Sequence, residues 1–243
     1  KASQDFDWVF APNLTSPRGA RGEFGGEVKL PTSKYAQGVF VVKYAAETAE
    51  EVMALKVPDV KKYLTPDALA FYKRSCREEL DNKPFKITFG AVSVVNTAGG
   101  IAGAEKLCKW MLQKPEVAHR LLRLAADYEI EIAQYYKSIF GVDRVLPTGA
   151  NAFASNQLIS PKHFEQFCVP YIKEVHEKIL AMGFKHISTH PCGEQNLNLP
   201  YYQQIPLGEP GIFYVGNEID LETAAKYFPN DIIEGNLDAT IVQ

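Results

Sequence analysis

The sequence predicts an α/β protein of the TIM type, a (β/α)8 barrel that is incomplete in this chain. Strand-like runs alternate with helical patterns from residue 85 onward, an order that favours parallel strands in a barrel or in an open doubly wound sheet. No glycine-rich phosphate-binding fingerprint follows the first strands, and polar side chains fall just past several strand ends. In a barrel these ends form one rim on which a site can be assembled. The last two observations therefore favour the barrel.

The predicted strands are short and β-rich. They comprise residues 6–10, 85–95, 142–147, 211–215 and 231–234, together with a run that begins at Phe184. Residues 27–30 and 38–42 are predicted as a hairpin or as two edge strands. A barrel of eight strands would therefore lack parts at one or both termini.

Helix start and stop signals separate the strands. Thr48 and Glu51 have the spacing of a capping box, and Pro115 begins a long stretch in which apolar residues recur at helical spacing. The predicted helices are residues 48–55, 65–80, 101–112, 115–140, 160–182 and 221–227. Residues 96–100 (NTAGG) are predicted as a turn of small residues, and residues 148–157 and 199–202 as parts of loops.

Composition and charge describe a globular protein without nucleic-acid or membrane chemistry. The chain has 243 residues, of which 46% are hydrophobic, and we expect one barrel domain over residues 1–243. A net charge of −3 provides no attraction to nucleic acid or anionic membranes, and no apolar run has the length of a membrane span. The four cysteines are far apart, which favours a reducing cytoplasm. Because the chain starts at Lys1 and stops at Gln243 directly after a strand-like run, we expect it to be part of a longer protein.

A histidine and a cysteine lie two residues apart where the run FKHISTHPCGEQ leaves its sheet. Strand side chains alternate between faces, so His190 and Cys192 can point to one place, and Pro191 suits a strand that is leaving its ladder. An imidazole and a thiolate together indicate a metal site, with zinc as the first choice. The alternative is ordinary packing, since free cysteine is often buried as a small hydrophobe. We expect three further side chains, His163, Cys168 and His176, to be structural.

Four long segments resemble successive blocks of the uroporphyrinogen decarboxylase superfamily. They are GAVSVVNTAGGIAGAEKLCKWMLQKPEVAHRLL, FGVDRVLPTGANAFASNQLISPKHFEQFCVPYIKEVHEKI, HISTHPCGEQ and DIIEGNLDAT. The resemblance covers most of the chain and implies a (β/α)8 barrel. It also implies one of two activities, because the superfamily contains haem-pathway decarboxylases and zinc-dependent methyltransferases that take a methyl group from a corrinoid protein.

The residues that match the two branches favour methyl transfer. Residues 9–21, where the resemblance would place a decarboxylase aspartate, contain no carboxylate, although Asp7 lies just upstream. Residues 94–100 contain no tyrosine, with Asn96 near the expected place. The run His190-Pro191-Cys192-Gly193 matches the zinc-ligand motif of the methyltransferases.

The resemblance also implies a ligand set for zinc. His190 and Cys192 supply two ligands, and the methyltransferases take a further cysteine from near the last barrel strand, which would lie beyond Gln243. Within the chain, Glu218 is the best additional candidate because it follows the next strand on the same rim. Its alternative role is that of a carboxylate at the start of the helix that begins near Leu221. Glu194 is nearer in sequence, but it faces the turn.

The implied reaction moves a methyl group from a methylcorrinoid, carried by a corrinoid protein, to a small-molecule acceptor. The acceptor is either a thiol or a pterin such as tetrahydrofolate, and sequence alone does not choose between them. The residues expected at the rim to bind substrate are Asn96, Asn151, Asn156, Gln157, Asn236 and Asp238, with Tyr201 and Tyr202 beside them. Asn236 could instead satisfy backbone groups of its turn. Two other functions stay open, a metal-free decarboxylase and a non-catalytic barrel that binds a corrinoid protein or a small ligand.

Overall fold

A computed structural model describes residues 13–14, 19–30, 40–62, 69–70, 87–238 and 241. Its centre is a six-stranded parallel sheet in which the strands follow one another in chain order. The six strands are β1 (Asn13–Leu14), β4 (Ile87–Gly90), β5 (Val145–Ala150), β6 (Ser188–His190), β7 (Ile212–Tyr214) and β8 (Ile232–Glu234). A separate antiparallel pair consists of β2 (Glu27–Lys29) and β3 (Phe40–Lys43).

Helices follow most of the central strands. They are α1 (Gly19–Glu23), α2 (Ala49–Ala54), α3 (Val94–Ala102), α4 (Ala104–Gln113), α5 (Pro115–Phe140), α6 (Pro161–His163), α7 (Val169–Ala181), α8 (Leu199–Tyr202) and α9 (Leu221–Tyr227). A π-helical segment, Phe164–Cys168, joins α6 to α7, and short 3-10 turns cover Val60–Lys62, Ala152–Ala154 and Asn196–Asn198. No helix in the described ranges is both long enough and apolar enough to cross a membrane.

The parallel α/β fold of barrel type is confirmed. Sequential parallel pairing with intervening helices is the arrangement of a barrel and differs from the split strand order of a doubly wound sheet. Over the part of the chain that the structure describes, the sheet is open, since its two edge strands, β1 and β8, are not paired with each other. All six strands run in the same direction, so their carboxyl ends lie along one rim.

Burial of apolar side chains holds the sheet to its helices. Phe89 of β4 is fully buried and packs against Tyr136 of α5 and against Phe184, with ring centroids 4.8 Å and 5.5 Å away. Phe213 of β7 stacks on Phe228, which directly follows α9, with ring centroids 3.9 Å apart. Each such side chain contributes about 1.5–3 kcal/mol when it leaves water. The strands that end at the rim are therefore packed against the surrounding helices.

Several predicted elements are confirmed at their boundaries. The helix from residue 115 to 140 is observed as α5, which begins at Pro115 and ends before Gly141, and α9 has the predicted bounds. The capping box of α2 is present, because Glu51 N–H donates to Thr48 Oγ1 at 3.2 Å and the Glu51 carboxylate accepts from the backbone of Thr48. The predicted hairpin is observed as the β2–β3 pair.

Other predicted elements are wrong or shifted. Residues 96–100 are not a turn but lie inside α3, where the glycines allow close packing: a Cβ on Gly99 would be 2.5 Å from the Phe153 ring, and one on Gly100 would be 3.1 Å from Arg21. The predicted strand 142–147 is observed at Val145–Ala150, and residues 199–202 are helical in α8.

The first strand of the sheet was not predicted. It is β1, two residues that pair with Thr88 and Phe89 and are too few to show an alternating pattern. The predicted strand at residues 6–10 lies outside the described residues. So does the predicted helix 65–80, apart from residues 69–70.

Candidate functional site

His190 is the last residue of β6, and its ring is held by the neighbouring strand. The imidazole is partly exposed and stacks on Tyr214 of β7 with a centroid separation of 4.1 Å. His190 Nδ1 lies 2.8 Å from the main-chain oxygen of Tyr214. A carbonyl oxygen can only accept, so Nδ1 carries the proton and donates it. This leaves Nε2 with a lone pair that can bind a metal, as in many histidine ligands whose other nitrogen is held by a carbonyl.

Cys192 follows His190 through a tight turn at buried Pro191. Its N–H donates to the His190 carbonyl at 3.0 Å, and its thiol is partly buried. Burial raises the pKa of the thiol to about 11, and the Glu218 carboxylate adds to the effect. The thiol therefore keeps its proton at neutral pH unless a cation lies beside it, and a metal ion is the kind of cation that reverses this preference.

Two buried amides hold the turn that presents Cys192, and the sequence analysis missed both. Gln195 and Asn198 are fully buried. Gln195 Nε2 donates to the Cys192 carbonyl at 3.1 Å and to the Asn151 carbonyl at 3.2 Å, and Asn198 Nδ2 donates to Gln195 Oε1 at 2.8 Å. Their sequence signal is the amide cluster QNLN directly after the His-x-Cys motif. This network ties the turn that contains Cys192 to Asn151, directly after β5.

Glu218 lies on the same rim, after β7, and its side chain is exposed. It is near enough to Cys192 to raise the pKa of that thiol, and its carboxylate lies over Gly216, where a Cβ would be 2.6 Å from Oε2. The capping role at the start of α9 belongs instead to Asp220, whose Oδ1 accepts from Thr223 N–H at 2.8 Å. Within the described ranges, no group of three His, Cys, Asp or Glu side chains is arranged to hold a metal. His190 and Cys192 are two donors of the kinds that zinc takes, and Glu218 lies near Cys192.

Three of the predicted substrate-binding amides, Asn151, Asn96 and Asn156, make hydrogen bonds within the protein. Asn151 is fully buried: its Oδ1 accepts from Val95 N–H at 3.1 Å and its Nδ2 donates to the Val92 carbonyl at 3.2 Å. Asn96 Oδ1 accepts from a backbone N–H at 3.0 Å, and Asn156 Nδ2 donates to a side-chain oxygen at 2.9 Å. Each therefore has a structural role at the rim, and substrate binding by them stays a prediction.

The other predicted binding residues lie on either side of this cluster. Gln157 is exposed next to the carboxyl end of β5. Asn236 and Asp238 follow β8, two strands from His190; Asn236 Nδ2 donates to the Ile219 carbonyl at 2.9 Å and Asp238 Oδ2 accepts from Asn217 at 3.4 Å. Asn236 thus hydrogen-bonds to a backbone carbonyl, which is the role given above as the alternative to substrate binding. Binding of substrate by these three stays a prediction as well.

The fold and the site together define a class of protein. Parallel strands in chain order make this an α/β barrel-type protein, with polar side chains and a His-x-Cys pair at the carboxyl ends of its strands. The family model for uroporphyrinogen decarboxylase (URO-D) matches residues 22–243. The chain belongs to this family.

Two methyltransferases are among the proteins that are similar to the chain. A methylated-thiol–coenzyme M methyltransferase of Methanosarcina mazei is 29% identical over 107 residues, which are 44% of this chain and 27% of that protein. The match therefore spans about a quarter of the relative's length. A solved methyltransferase from Methanosarcina mazei superposes with a TM-score of 0.76 at 16% identity, covering 97% of this chain and 67% of that one. At this identity the structural likeness establishes the fold.

Proposed function

We propose that the protein is a methyltransferase that moves a methyl group from a methylated corrinoid protein to a thiol or a tetrahydrofolate-type acceptor, with zinc held at the rim. The observation that carries this proposal is the arrangement of His190 and Cys192. One turn presents both, and the Nδ1 of His190 is already bound to the Tyr214 carbonyl. Membership of the family and the methyltransferase names of both similar proteins support it.

His190 Nε2 and the Cys192 thiolate would hold the zinc, and Glu218 is placed to act as a further ligand or as a neighbouring base. A catalytic zinc commonly has three protein ligands and one open position. When bound, zinc lowers the pKa of an acceptor thiol or polarises a pterin acceptor. Tyr214 keeps the imidazole in the tautomer that leaves Nε2 available, and Gln195 keeps the cysteine turn in place.

The rim residues would then orient the acceptor towards the methyl donor. The acceptor sulfur, as a thiolate, attacks the methyl carbon; a sulfur–carbon bond forms, the cobalt–carbon bond breaks, and its electron pair stays on cobalt. The proton of the acceptor thiol leaves before this step, and the Glu218 carboxylate, exposed beside Cys192, is a group that can take it. Gln157 and Asp238 would contact the acceptor or the edge of the corrinoid.

Metal analysis of the full-length protein tests the proposal. We expect about one zinc per chain, as for a single catalytic site, and its loss in His190→Ala and in Cys192→Ala. Cys108→Ala is the matched control, since Cys108 is a partly buried cysteine on α4 outside the rim. A spectrophotometric assay with methylcobalamin and a small thiol should show demethylation by the zinc-loaded wild type. Variants that keep their zinc, or a metal-free wild type that decarboxylates a porphyrinogen, would overturn the proposal.

A further inference from the structure

A buried carboxylate, Glu129 of α5, lies behind the rim and belongs to none of the residues considered above. It is 2% exposed. Thr97 Oγ1 of α3 donates to Glu129 Oε1 at 2.6 Å, and the backbone N–H of Ser93 donates to the same carboxylate. Burial of a carboxylate is costly without such donors. Glu129, on the neighbouring helix α5, therefore accepts hydrogen bonds from two residues at the N-terminal turn of α3.

This arrangement frees the hydroxyl of Ser93 for a second contact. Ser93 is the N-cap residue of α3, yet its side chain makes no capping hydrogen bond. Its Oγ instead accepts from Ala150 N–H at 3.0 Å, at the carboxyl end of β5. Ser93 thus joins the start of α3 to the strand that borders β6.

The same strand end is bound to His190. Ala150 pairs with His190 in the parallel register, and Asn151 N–H donates to the His190 carbonyl at 3.1 Å. The Asn151 side chain bonds to Val92 and Val95, on either side of Ser93. Hydrogen bonds and one strand pairing therefore lead without a gap from Glu129 through Ser93 and residues 150–151 to His190.

From this path we infer that Glu129 is a positioning residue for the rim site, holding the end of β6 that presents His190 through the N-terminal turn of α3. The inference rests on the proposed function. The ionised carboxylate accepts from both Ser93 and Thr97, whereas the protonated form has one oxygen that must donate and so holds the turn less completely. The rim is best ordered when Glu129 is ionised.

The charges around Glu129 place this change near neutral pH. Burial raises the pKa of Glu129 to about 7; hydrogen bonds from Thr97 and Ser93 oppose the rise, and the carboxylate of Glu23 on α1 adds to it. The hydroxyl of Tyr128 donates to Glu23, and the side chain of Arg21 on α1 lies along α3 at Gly100. Among the described residues, Glu23 is the charged group that acts on the pKa of Glu129.

Hydrogen exchange and zinc affinity together test the inference. In metal-free protein, Glu129→Gln should speed amide exchange in peptides covering residues 148–152, with a larger effect at pH 8 than at pH 6. In a chelator competition, the same variant should weaken zinc binding about tenfold at pH 8, the size typical of groups that orient a ligand. Glu131→Gln, an exposed position on the same helix, is the control and should change neither quantity.

Ser93→Ala provides a second variant if Glu129→Gln does not fold. It removes the acceptor of Ala150 N–H while leaving Glu129 in place, and it should reproduce the faster exchange at residues 148–152. Unchanged exchange in both variants overturns the inference, and so does faster exchange with unaltered zinc affinity. Failure of the proposed function is seen separately, as a wild type that binds no zinc.

Discussion

The imidazole of His190 and the phenol ring of Tyr214 are stacked, with centroids 4.1 Å apart and planes 20° apart. The same two residues share a hydrogen bond of 2.8 Å, from His190 Nδ1 to the Tyr214 main-chain oxygen. One residue of β7 therefore fixes the position of the ring through its side chain and the tautomer through its backbone. Such support by a neighbouring group is what usually orients a histidine that binds a metal.

The stacking contact can be removed without touching the hydrogen bond. In Tyr214→Ala the carbonyl remains but the ring is lost, and aromatic contacts of this kind contribute about 0.5–1.5 kcal/mol. We therefore expect zinc affinity, measured by chelator competition, to fall about 2- to 12-fold, the same free energy as a ratio of affinities. Tyr214→Phe keeps the ring and should bind like the wild type. Equal affinity in Tyr214→Ala and wild type would show that the backbone contact alone orients His190.

The buried hydroxyl of Tyr202 makes no hydrogen bond with the described residues. The residue is 1% exposed. A buried hydroxyl without a partner is destabilising, so Tyr202→Phe should raise the free energy of unfolding in urea by about 1 kcal/mol. Tyr201→Phe, at a partly buried neighbour, should change it by less than about 0.5 kcal/mol. A lower stability in Tyr202→Phe would mean that the hydroxyl has a partner in the full protein.

Local sequence signals predicted the fold where the decisive contacts are local. Pro115 and Gly141 mark the two ends of α5, and the capping box of α2 lies within four residues. The turn predicted at residues 96–100 failed for the opposite reason. Gly99 is required by the ring of Phe153, a residue distant in sequence, and small residues that permit close helix packing look the same as small residues that form a turn.

The same distinction between local and distant contacts applies to the candidate site. His190 and Cys192 were proposed as site residues because strand alternation and a short spacing are visible in the sequence. The groups that hold them were not, since Gln195 bonds to the carbonyl of Asn151 and Glu129 bonds to Thr97, 32 residues away. A glutamate within a long amphipathic helix gives no sign that it is buried. Contacts across the sheet therefore have to come from the structure.

Gly149 of β5 allows the close approach that joins β5 to the start of α3. A Cβ at this position would lie 2.5 Å from the carbonyl carbon of Val92 and 2.6 Å from Ser93 Oγ. Overpacking of this kind costs about 1–3 kcal/mol, so Gly149→Ala should lower the free energy of unfolding in urea by that amount and should also weaken zinc binding. Gly141→Ala strains the backbone at φ 74° but has open space around it, at the opposite end of β5. It should leave zinc affinity unchanged, and an equal loss in both variants would contradict the role given to Gly149.

The ionisation of Glu129 gives the stability of the protein a pH dependence of known sign. Its pKa is raised from 4.5 to about 7, chiefly by burial, so the folded state favours the protonated carboxyl. The stabilisation by this protonated form is complete below about pH 4.5 and is lost as the pH rises through about 7. A shift of this size corresponds to about 3 kcal/mol. Buried His176 acts in the opposite direction, because burial lowers its pKa from 6.5 to about 4 and its contribution grows as the pH rises from about 4 to 6.5.

These two opposing groups make the comparison with a variant essential. Wild-type stability in urea should change by less than about 1 kcal/mol, through a shallow maximum between pH 5 and pH 6, because the two contributions are opposed and nearly equal. Glu129→Gln should instead show the full rise caused by His176. The difference in free energy of unfolding between the two proteins should therefore change by about 3 kcal/mol between pH 5 and pH 9. A difference that stays constant over this range would show that Glu129 does not titrate there. If the difference follows the expected curve, the ionised carboxylate that accepts from Ser93 and Thr97 is also the form of Glu129 that lowers the stability of the whole protein.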